Sequence, residues 1–408
     1  MAIKGKNIVL GISGSIAAYK GADLASKLVQ EGAQVHVIMT KAATEFITPL
    51  TLRSLTHNPV ITDWYDPSSE LSIQHVALAE TADAVVIAPA TANIMAKLAH
   101  GIADDPLTGT VLATRAPIIL APAMDANMFD NPATQENAAT LKERGVLLVG
   151  PGYGRLASGL MGQGRLADPY EIIGTLAMML GRSGDLAGRR VVVSAGPTEE
   201  PIDPVRHISN PSTGKMGYAV AEAARDRGAS VTLVTGPTVL ANLVGVKTVK
   251  VRTAVQMRDA VFAAAKDADV LIMTAAVADY RPAAAFEHKV KKEGIETITI
   301  EMVRNPDILA EVQGNFVKIG FAAETDDLIR NARTKLREKN LDLIAANDVN
   351  APNAGFGVDT NKVIILDRSG QVEDLPLMTK REVGDAILDR AVELLAQRAS
   401  RPATAPAR

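Results

Sequence analysis

The sequence predicts an α/β protein built of two doubly wound, Rossmann-like domains, and three observations carry that prediction. Short β-branched and apolar runs alternate with amphipathic segments along the chain. A strand running into a glycine turn occurs twice, as "NIVLGISGS" near the start and as "RRVVVSAGPT" near residue 190. Between the halves lies "LGRSGDLAGRR", residues 180–190, rich in Gly, Arg and Ser, after which the pattern restarts. The expected domains are residues 1–182 and 183–398, with a disordered tail over 399–408. A length of 408 residues fits this division, at about 100–200 residues per domain.

In the first half the strands are "NIVLGIS", "QVHVIMT", "DAVVIAPA", "PIILAPA" and "VLLVGP". Continuous apolar runs of this length suit strands buried on both faces, as in a parallel sheet. The segment "IAAYKGADLASKLVQEG" is helical: Ile16, Lys20, Leu24 and Leu28 lie four apart, and Gly32 is placed to end the helix.

In the second half "RRVVVSAGPT" is a strand entering a turn, "GYAVAEAARDRG" a helix and "SVTLVTGPT" the next strand. Further strands follow at "DVLIMTAAVA", "FVKIGFAA", "LDLIAAND" and "KVIILD", and the chain ends in "RASRPATAPAR".

Composition narrows the function classes. Hydrophobic residues make up 47% of the chain and aromatic residues 3%, so Ala, Val, Ile and Leu do most of the packing. The net charge of −3 gives no general attraction to nucleic acid. The chain has no cysteine, which excludes disulfides, thiolate metal sites and a cysteine nucleophile. The N-terminus reads as a strand and not a signal peptide, and no apolar run is long enough for a membrane span. A soluble, cytoplasmic protein is expected.

Three stretches carry chemistry. "GISGSIAAYKG" sets Gly11, Ser13, Gly14 and Ser15 between a strand and a helix, where backbone N–H groups meet a phosphate. A dinucleotide site would also place an acidic residue at the end of the second strand, and "VHVIMTKAA" has none. FMN therefore fits this turn better than NAD, a packing turn being the other reading and a nicotinamide-dependent reductase a competing function. "QHVAL" supplies His75, whose side chain suits proton transfer near neutrality, and "APATAN" brings Ala90, Thr91 and Asn93 to a strand's carboxyl end. "APAMDANMFD" places Asp125 directly after the run "APIILAPAM".

Together these motifs pass beyond the generic. "GISGSIAAYK", "QHVAL", "APATANIMAKLAHGIADD", "PAM" and "NPAT" resemble the flavin-dependent cysteine decarboxylase family. "AGPTEEPIDPVRHISNPSTGKMGYAVAEAA", "AAVADYRP", "HKVKK", "NPDIL", "GFAAET" and "NLDLIAANDV" are similar to phosphopantothenate–cysteine ligases. The resemblance spans residues 5–395, in the order of the bacterial bifunctional family of coenzyme A biosynthesis. It implies that the second half joins 4′-phosphopantothenate to cysteine using CTP, through an acyl-cytidylate. The first half would then decarboxylate the product to 4′-phosphopantetheine. It also implies a homo-oligomer, with trimeric flavin domains and dimeric ligase domains combining into a dodecamer.

By the same resemblance FMN would be held by Gly11, Ser13, Gly14, Ser15, Thr40, Ala90, Thr91 and Asn93, with His75 as base. CTP, accompanied by Mg2+, would meet Asp279, Lys289, Pro306, Asp307, Ile308, Leu309, Phe321, Lys335 and Lys339. Lys289, from a cluster with Lys291 and Lys292, would serve the first ligase step and Asn210 the second, with Arg206 pairing with the substrate phosphate. Two positions depart from the family. Asp125 stands where the family carries an Asn for the substrate carboxylate, and Ser158 where many relatives carry a proton-donating Cys in a flap. A carboxylate facing a carboxylate repels, and a hydroxyl is a far weaker acid than a thiol of pKa ~8.5. The leading expectation is a bifunctional enzyme whose variant decarboxylase works, with Arg155 or Arg165 taking the substrate carboxylate or Asp125 protonated. The alternative is an active ligase fused to a flavin-binding scaffold with impaired decarboxylase.

Overall fold

The computed structural model describes residues 2–64, 74–291, 297–324, 327–348, 353–355 and 357–400. The chain forms two compact units, residues 1–180 and 181–408. Lys292 and residues 401–408 lie outside the described residues.

The first unit is a six-stranded parallel sheet. Its strands are β1 (Asn7–Ile12), β2 (Gln34–Met39), β3 (Val60–Ile61), β4 (Ala84–Ala90), β5 (Ile118–Pro122) and β6 (Leu147–Leu148), in the order β3-β2-β1-β4-β5-β6. Side chains alternate across a strand, so one run of apolar residues feeds two cores. Ile8, Leu10 and Ile12 pack on the side of α1 (Ala18–Gln30), with Leu24 and Leu28. Val9, Val85 and Ile87 pack on the other side, against Ile94 and Met95 of α4 (Ala92–His100). This two-sided burial is why the strands read as unbroken apolar runs. Three further helices are α3 (Gln74–Thr81), α5 (Pro106–Ala113) and α6 (Ala126–Asp130), α2 being Pro49–Thr56. After α7 (Pro132–Glu143) comes an antiparallel hairpin of β7 (Gly152–Arg155) and β8 (Met161–Arg165), then α8 (Pro169–Leu180).

The second unit repeats the plan. Its main sheet has β13-β12-β9-β14-β17-β18-β20-β21 in order, where β9 is Arg190–Ala195, β12 Ser230–Thr235, β13 Lys247–Lys250 and β14 Val270–Met273. The remaining members are β17 (Val317–Glu324), β18 (Leu343–Asp348), β20 (Val363–Asp367) and β21 (Val372–Asp374). Val191, Val193 and Ala195 pack with α9 (Lys215–Arg225) and α13 (Lys380–Ser400), while Val192 packs with Met257 and Val261 of α10 (Ala254–Ala265). Small pairs complete the unit: β10 (Glu199–Pro201) with β11 (His207–Ser209), β15 (Tyr280–Pro282) with β16 (Met302–Arg304), and β19 (Thr360–Asn361) with β22 (Met378–Thr379). Helices α11 (Ile308–Glu311) and α12 (Leu328–Glu338) flank β17.

The structure refines several expectations. Helix α1 begins at Ala18, leaving Ile16 in the preceding turn and 60% exposed, so the apolar stripe is carried by Leu24 and Leu28. Gly32 has φ +84° just past the helix end, a conformation that favours glycine. "VLLVGP" yields only a two-residue strand. "KVIILD" pairs antiparallel with β18 and not parallel. Helix α13 reaches Ser400, two residues into the stretch expected as tail.

Candidate functional site

In both sheets the strand order reverses beside the first strand of the unit, between β1 and β4 and between β9 and β14. A crevice opens at the carboxyl ends of strands where the crossover direction changes. Several of the expected site residues of each half lie near these crevices.

In the first unit the ends of β1, β2 and β4 are tied together. Thr40 N–H donates to Ile12 O at 3.0 Å, and Ser13 N–H to Pro89 O at 3.3 Å. The Ser13 hydroxyl donates to Pro89 O at 2.7 Å and accepts from Thr91 N–H at 3.0 Å. Ser13 is only 2% exposed, so this hydroxyl clips two strands together and is not the free phosphate donor expected. The glycines also answer to packing. A Cβ at Gly11 would lie 2.5 Å from Leu107 Cδ1, and one at Gly14 would lie 2.4 Å from Ala42 Cβ. Thr40 and Thr91 each accept an N–H of the helical turn they cap, from Ala43 and Ile94, both at 3.3 Å. Ser15 and Asn93 remain at the rim with the first turns of α1 and α4. Hydroxyls, an amide and two helix starts around a switch-point crevice suit a phosphate monoester with a planar polar ring. Ala90 is fully buried under this rim.

Beside it the β7–β8 hairpin covers a cavity of ~630 Å³ lined by Ser15, Lys20, Asp125, Arg155, Ser158 and Arg165, among others. The hairpin approaches closely through glycine: a Cβ at Gly164 would lie 2.2 Å from Met124 O, whose own N–H donates to Gly164 O at 3.0 Å. Ser158 Oγ donates to Asp125 Oδ2 at 2.6 Å, while Asp125 Oδ1 accepts Asn127 N–H at 3.0 Å as the cap of α6. Burial lowers the Lys20 pKa from its ordinary value, and the Arg165 charge lowers it further against a raising effect of Asp168. His75 opens α3 outside this cavity, its ring set edge-on to Trp64 at 4.5 Å between centroids.

In the second unit, a cavity of ~180 Å³ is lined by Asp279, Arg304, Pro306, Asp307, Ile308, Leu309, Phe321 and Lys339. Seven of these residues were expected at a nucleotide; Arg304 was not. Asn305 is 7% exposed and braces the walls: its side-chain amide donates to Ala278 O at 2.8 Å, and its backbone N–H to Asp279 O at 2.8 Å. Asp307 caps α11 by accepting Ala310 N–H at 3.1 Å, and pairs with Lys339 Nζ at 2.9 Å. Lys335 and Lys339 are joined through the backbone bond Lys339 N–H to Lys335 O, but only Lys339 lines the cavity.

A neighbouring cavity of ~200 Å³ is lined by Ser212, Thr213, Gly214, Lys215, Phe321, Asn347, Asn361 and Lys380. Gly214, at φ +80°, turns the chain into α9. Asn210 is not among the cavity's lining residues, but its side-chain amide donates to the O of Ala276, which is, at 3.0 Å. Asn347 lies in the motif "NLDLIAANDV", whereas Lys380 carries no sequence signal of its own; it is 6% exposed and donates to the carbonyls of Gly355 and Val358. Arg206 is engaged too, donating to Val290 O at 2.9 Å. Lys289 is exposed beside Val290 and lines neither cavity.

Two switch-point crevices, one rimmed by hydroxyls and helix starts and one by acidic, amide and lysine side chains, mark a doubly wound α/β protein of two domains. Residues 2–181 match the flavoprotein family, and residues 186–395 match the DNA/pantothenate metabolism flavoprotein C-terminal domain. The coenzyme A biosynthesis bifunctional protein CoaBC of Vibrio cholerae is 46% identical over 391 residues, covering 95% of this chain and 98% of that one. The Bacillus subtilis protein of the same name is 45% identical over 405 residues, covering 98% and 100%. A crystal structure of the C-terminal domain of such a protein is 43% identical, covering 53% of this chain and all of that one, with a TM-score of 0.46. The chain belongs to this family of bifunctional coenzyme A biosynthesis proteins.

Membership brings one correction. The leading expectation was an enzyme active in both ligation and decarboxylation. The chain has no cysteine anywhere to act as the family's thiol acid. The serine in its place gives its only hydroxyl proton to the Asp125 carboxylate. These facts favour the alternative, in which decarboxylation is impaired. Among the described residues no helix is long and apolar enough to cross a membrane.

Proposed function

We propose that the chain is a CTP-dependent phosphopantothenate–cysteine ligase joined to an FMN-binding domain impaired in decarboxylation. The observation that carries the ligase reading is the β14–β17 cavity, which gathers Asp279, Pro306, Asp307, Ile308, Leu309, Phe321 and Lys339 in one place. A carboxylate does not acylate an amine unaided, and activation as an acyl-cytidylate supplies a leaving group. Backbone groups of the Pro306–Leu309 loop and the Asp279 carboxylate suit the cytosine amino edge and the ribose. Lys289, and Lys335 with Lys339, supply positive charge where phosphate charge develops. Asn210, bonded to Ala276 of the adjacent cavity, is assigned to donate to the acyl oxygen during capture by cysteine. Arg206 is assigned to the phosphate of 4′-phosphopantothenate.

Mg2+ is read as accompanying CTP, whose phosphate charge it neutralises. In the first half Ser15, Thr40, Thr91 and Asn93 with the starts of α1 and α4 fit FMN. The flavin would supply a hydride acceptor there. The same reading takes the protein to be a cytoplasmic homo-oligomer that acts on small molecules and does not bind nucleic acid. The test is pyrophosphate release from CTP that requires 4′-phosphopantothenate, with CMP appearing on addition of cysteine. Release that ignores 4′-phosphopantothenate would sink the reading.

A further inference from the structure

We propose that Asp203 is a positioning residue for the first ligase step, holding the Lys289 segment against the tip of the β10–β11 hairpin. The inference rests on the ligase reading for its catalytic consequence, but its structural half stands on geometry alone. Asp203 lies in the turn between β10 and β11, and its side chain has no exposed surface. Oδ1 accepts the N–H groups of Val205 and Arg206, both at 2.8 Å. Oδ2 accepts Val290 N–H at 3.2 Å and faces Arg206 Nη1 at 3.5 Å. The same arginine donates through Nη2 to Val290 O at 2.9 Å. Phe286 N–H adds a backbone bond to Ile202 O at 2.9 Å. Val290 is thus gripped at both its N–H and its C=O, one residue from Lys289, by groups more than 80 positions earlier in the chain. Burial pushes the Asp203 carboxyl up, but the N–H groups of Val205, Val290 and Arg206 hold it below the ordinary carboxylate range.

This grip matters because Lys289 is exposed. Its place is therefore set by its backbone. An uncompensated buried carboxylate would be costly, so the turn and the Lys289 segment order together.

Asp203→Asn separates the two halves of the clamp. The amide oxygen still accepts Val205 and Arg206 N–H, but the amide nitrogen then points a donor at Val290 N–H and at the guanidinium. Asp203→Ala removes both halves. Three quantities are measured in the full-length protein: amide exchange at Val290, pyrophosphate release from CTP with 4′-phosphopantothenate, and amide formation from pre-made acyl-cytidylate and cysteine. In Asp203→Asn, Val290 exchange should accelerate and pyrophosphate release should fall by about 10–100-fold, while capture by cysteine is kept, since a displacement near 1 Å costs about that much. Unchanged Val290 exchange overturns the proposal, as does equal loss of both partial reactions. If wild type itself releases no pyrophosphate, the ligase reading fails, and Val290 exchange alone still decides the clamp.

Discussion

The Ser158 hydroxyl donates to the Asp125 carboxylate at 2.6 Å, joining the hairpin loop between β7 and β8 to the cap of α6. The two positions that the sequence reading sets apart from the family pattern are therefore in contact. Ser158 gives the loop a tether that needs an acceptor, and Asp125 provides one. Both Asp125 oxygens are occupied, the second by Asn127 N–H. A hydroxyl bound to a carboxylate is suited to holding the loop and ill-suited to delivering a proton.

Ser158→Cys with Asp125→Asn should therefore gain decarboxylation. The double variant frees the cavity of a fixed negative charge and restores a group near pKa ~8.5. Conversion of phosphopantothenoylcysteine, followed by product mass, should rise by at least ~10-fold over wild type, about 1.4 kcal/mol in barrier. Equal rates in the two proteins would show that the pair is not what limits this half.

The ligase steps should separate by residue. Lys289→Gln should suppress pyrophosphate release from CTP, whereas Asn210→Asp should allow it and slow capture by cysteine. Quenched-flow assays of pyrophosphate and amide product check this division. Equal loss of both partial reactions in each variant would contradict it.

Ser13 and Ser15 should behave oppositely despite their shared motif. Ser13→Ala leaves Thr91 N–H without its buried acceptor and should cost about 1–3 kcal/mol of stability. Ser15→Ala removes only the part-buried acceptor of Ala17 N–H, at 3.2 Å, and should cost less stability than Ser13→Ala while weakening FMN retention. Denaturant unfolding and flavin absorbance after gel filtration measure the two effects. FMN retention unaltered by Ser15→Ala would remove Ser15 from the site.

The pairing of Asp307 with Lys339 predicts an acid-limb effect. Burial pushes the Asp307 carboxyl up, but Lys339 and the Ala310 N–H outweigh it and hold the group below its ordinary value. The folded pKa thus lies under the unfolded one, ~3.9. The contribution is complete above the unfolded value and is lost as pH falls through the folded one. A partly exposed pair contributes under ~1 kcal/mol. Asp307→Asn should flatten the loss of thermal stability below about pH 4, leaving the slope near neutrality unchanged. An identical acid limb in wild type and variant would contradict this.

What the sequence made legible follows from where each signal resides. The central strands of both sheets were readable because burial on two faces leaves an unbroken apolar run, as in Val191–Ala195. The antiparallel direction of β20 was not, since "VIILD" has the same composition either way and direction is set by its partner β18. Site residues in contiguous motifs, such as Pro306–Leu309, gather in one cavity. The structural bonds of the Ser13 hydroxyl were not legible, because its partners Pro89 and Thr91 lie more than 75 residues away. Lys318 gave no signal at all: it is 8% exposed and donates to Leu309 O and Val312 O, carbonyls that only the fold brings to it.

The most direct test of the account supplies the full-length, FMN-loaded protein with 4′-phosphopantothenate, cysteine and CTP, and follows product mass over time. Phosphopantothenoylcysteine should accumulate with stoichiometric CMP, with little or no mass lost as carbon dioxide. Rapid conversion of that product to 4′-phosphopantetheine by wild type would contradict it, and would show that the Ser158–Asp125 pair supports the decarboxylation it is here held to impair.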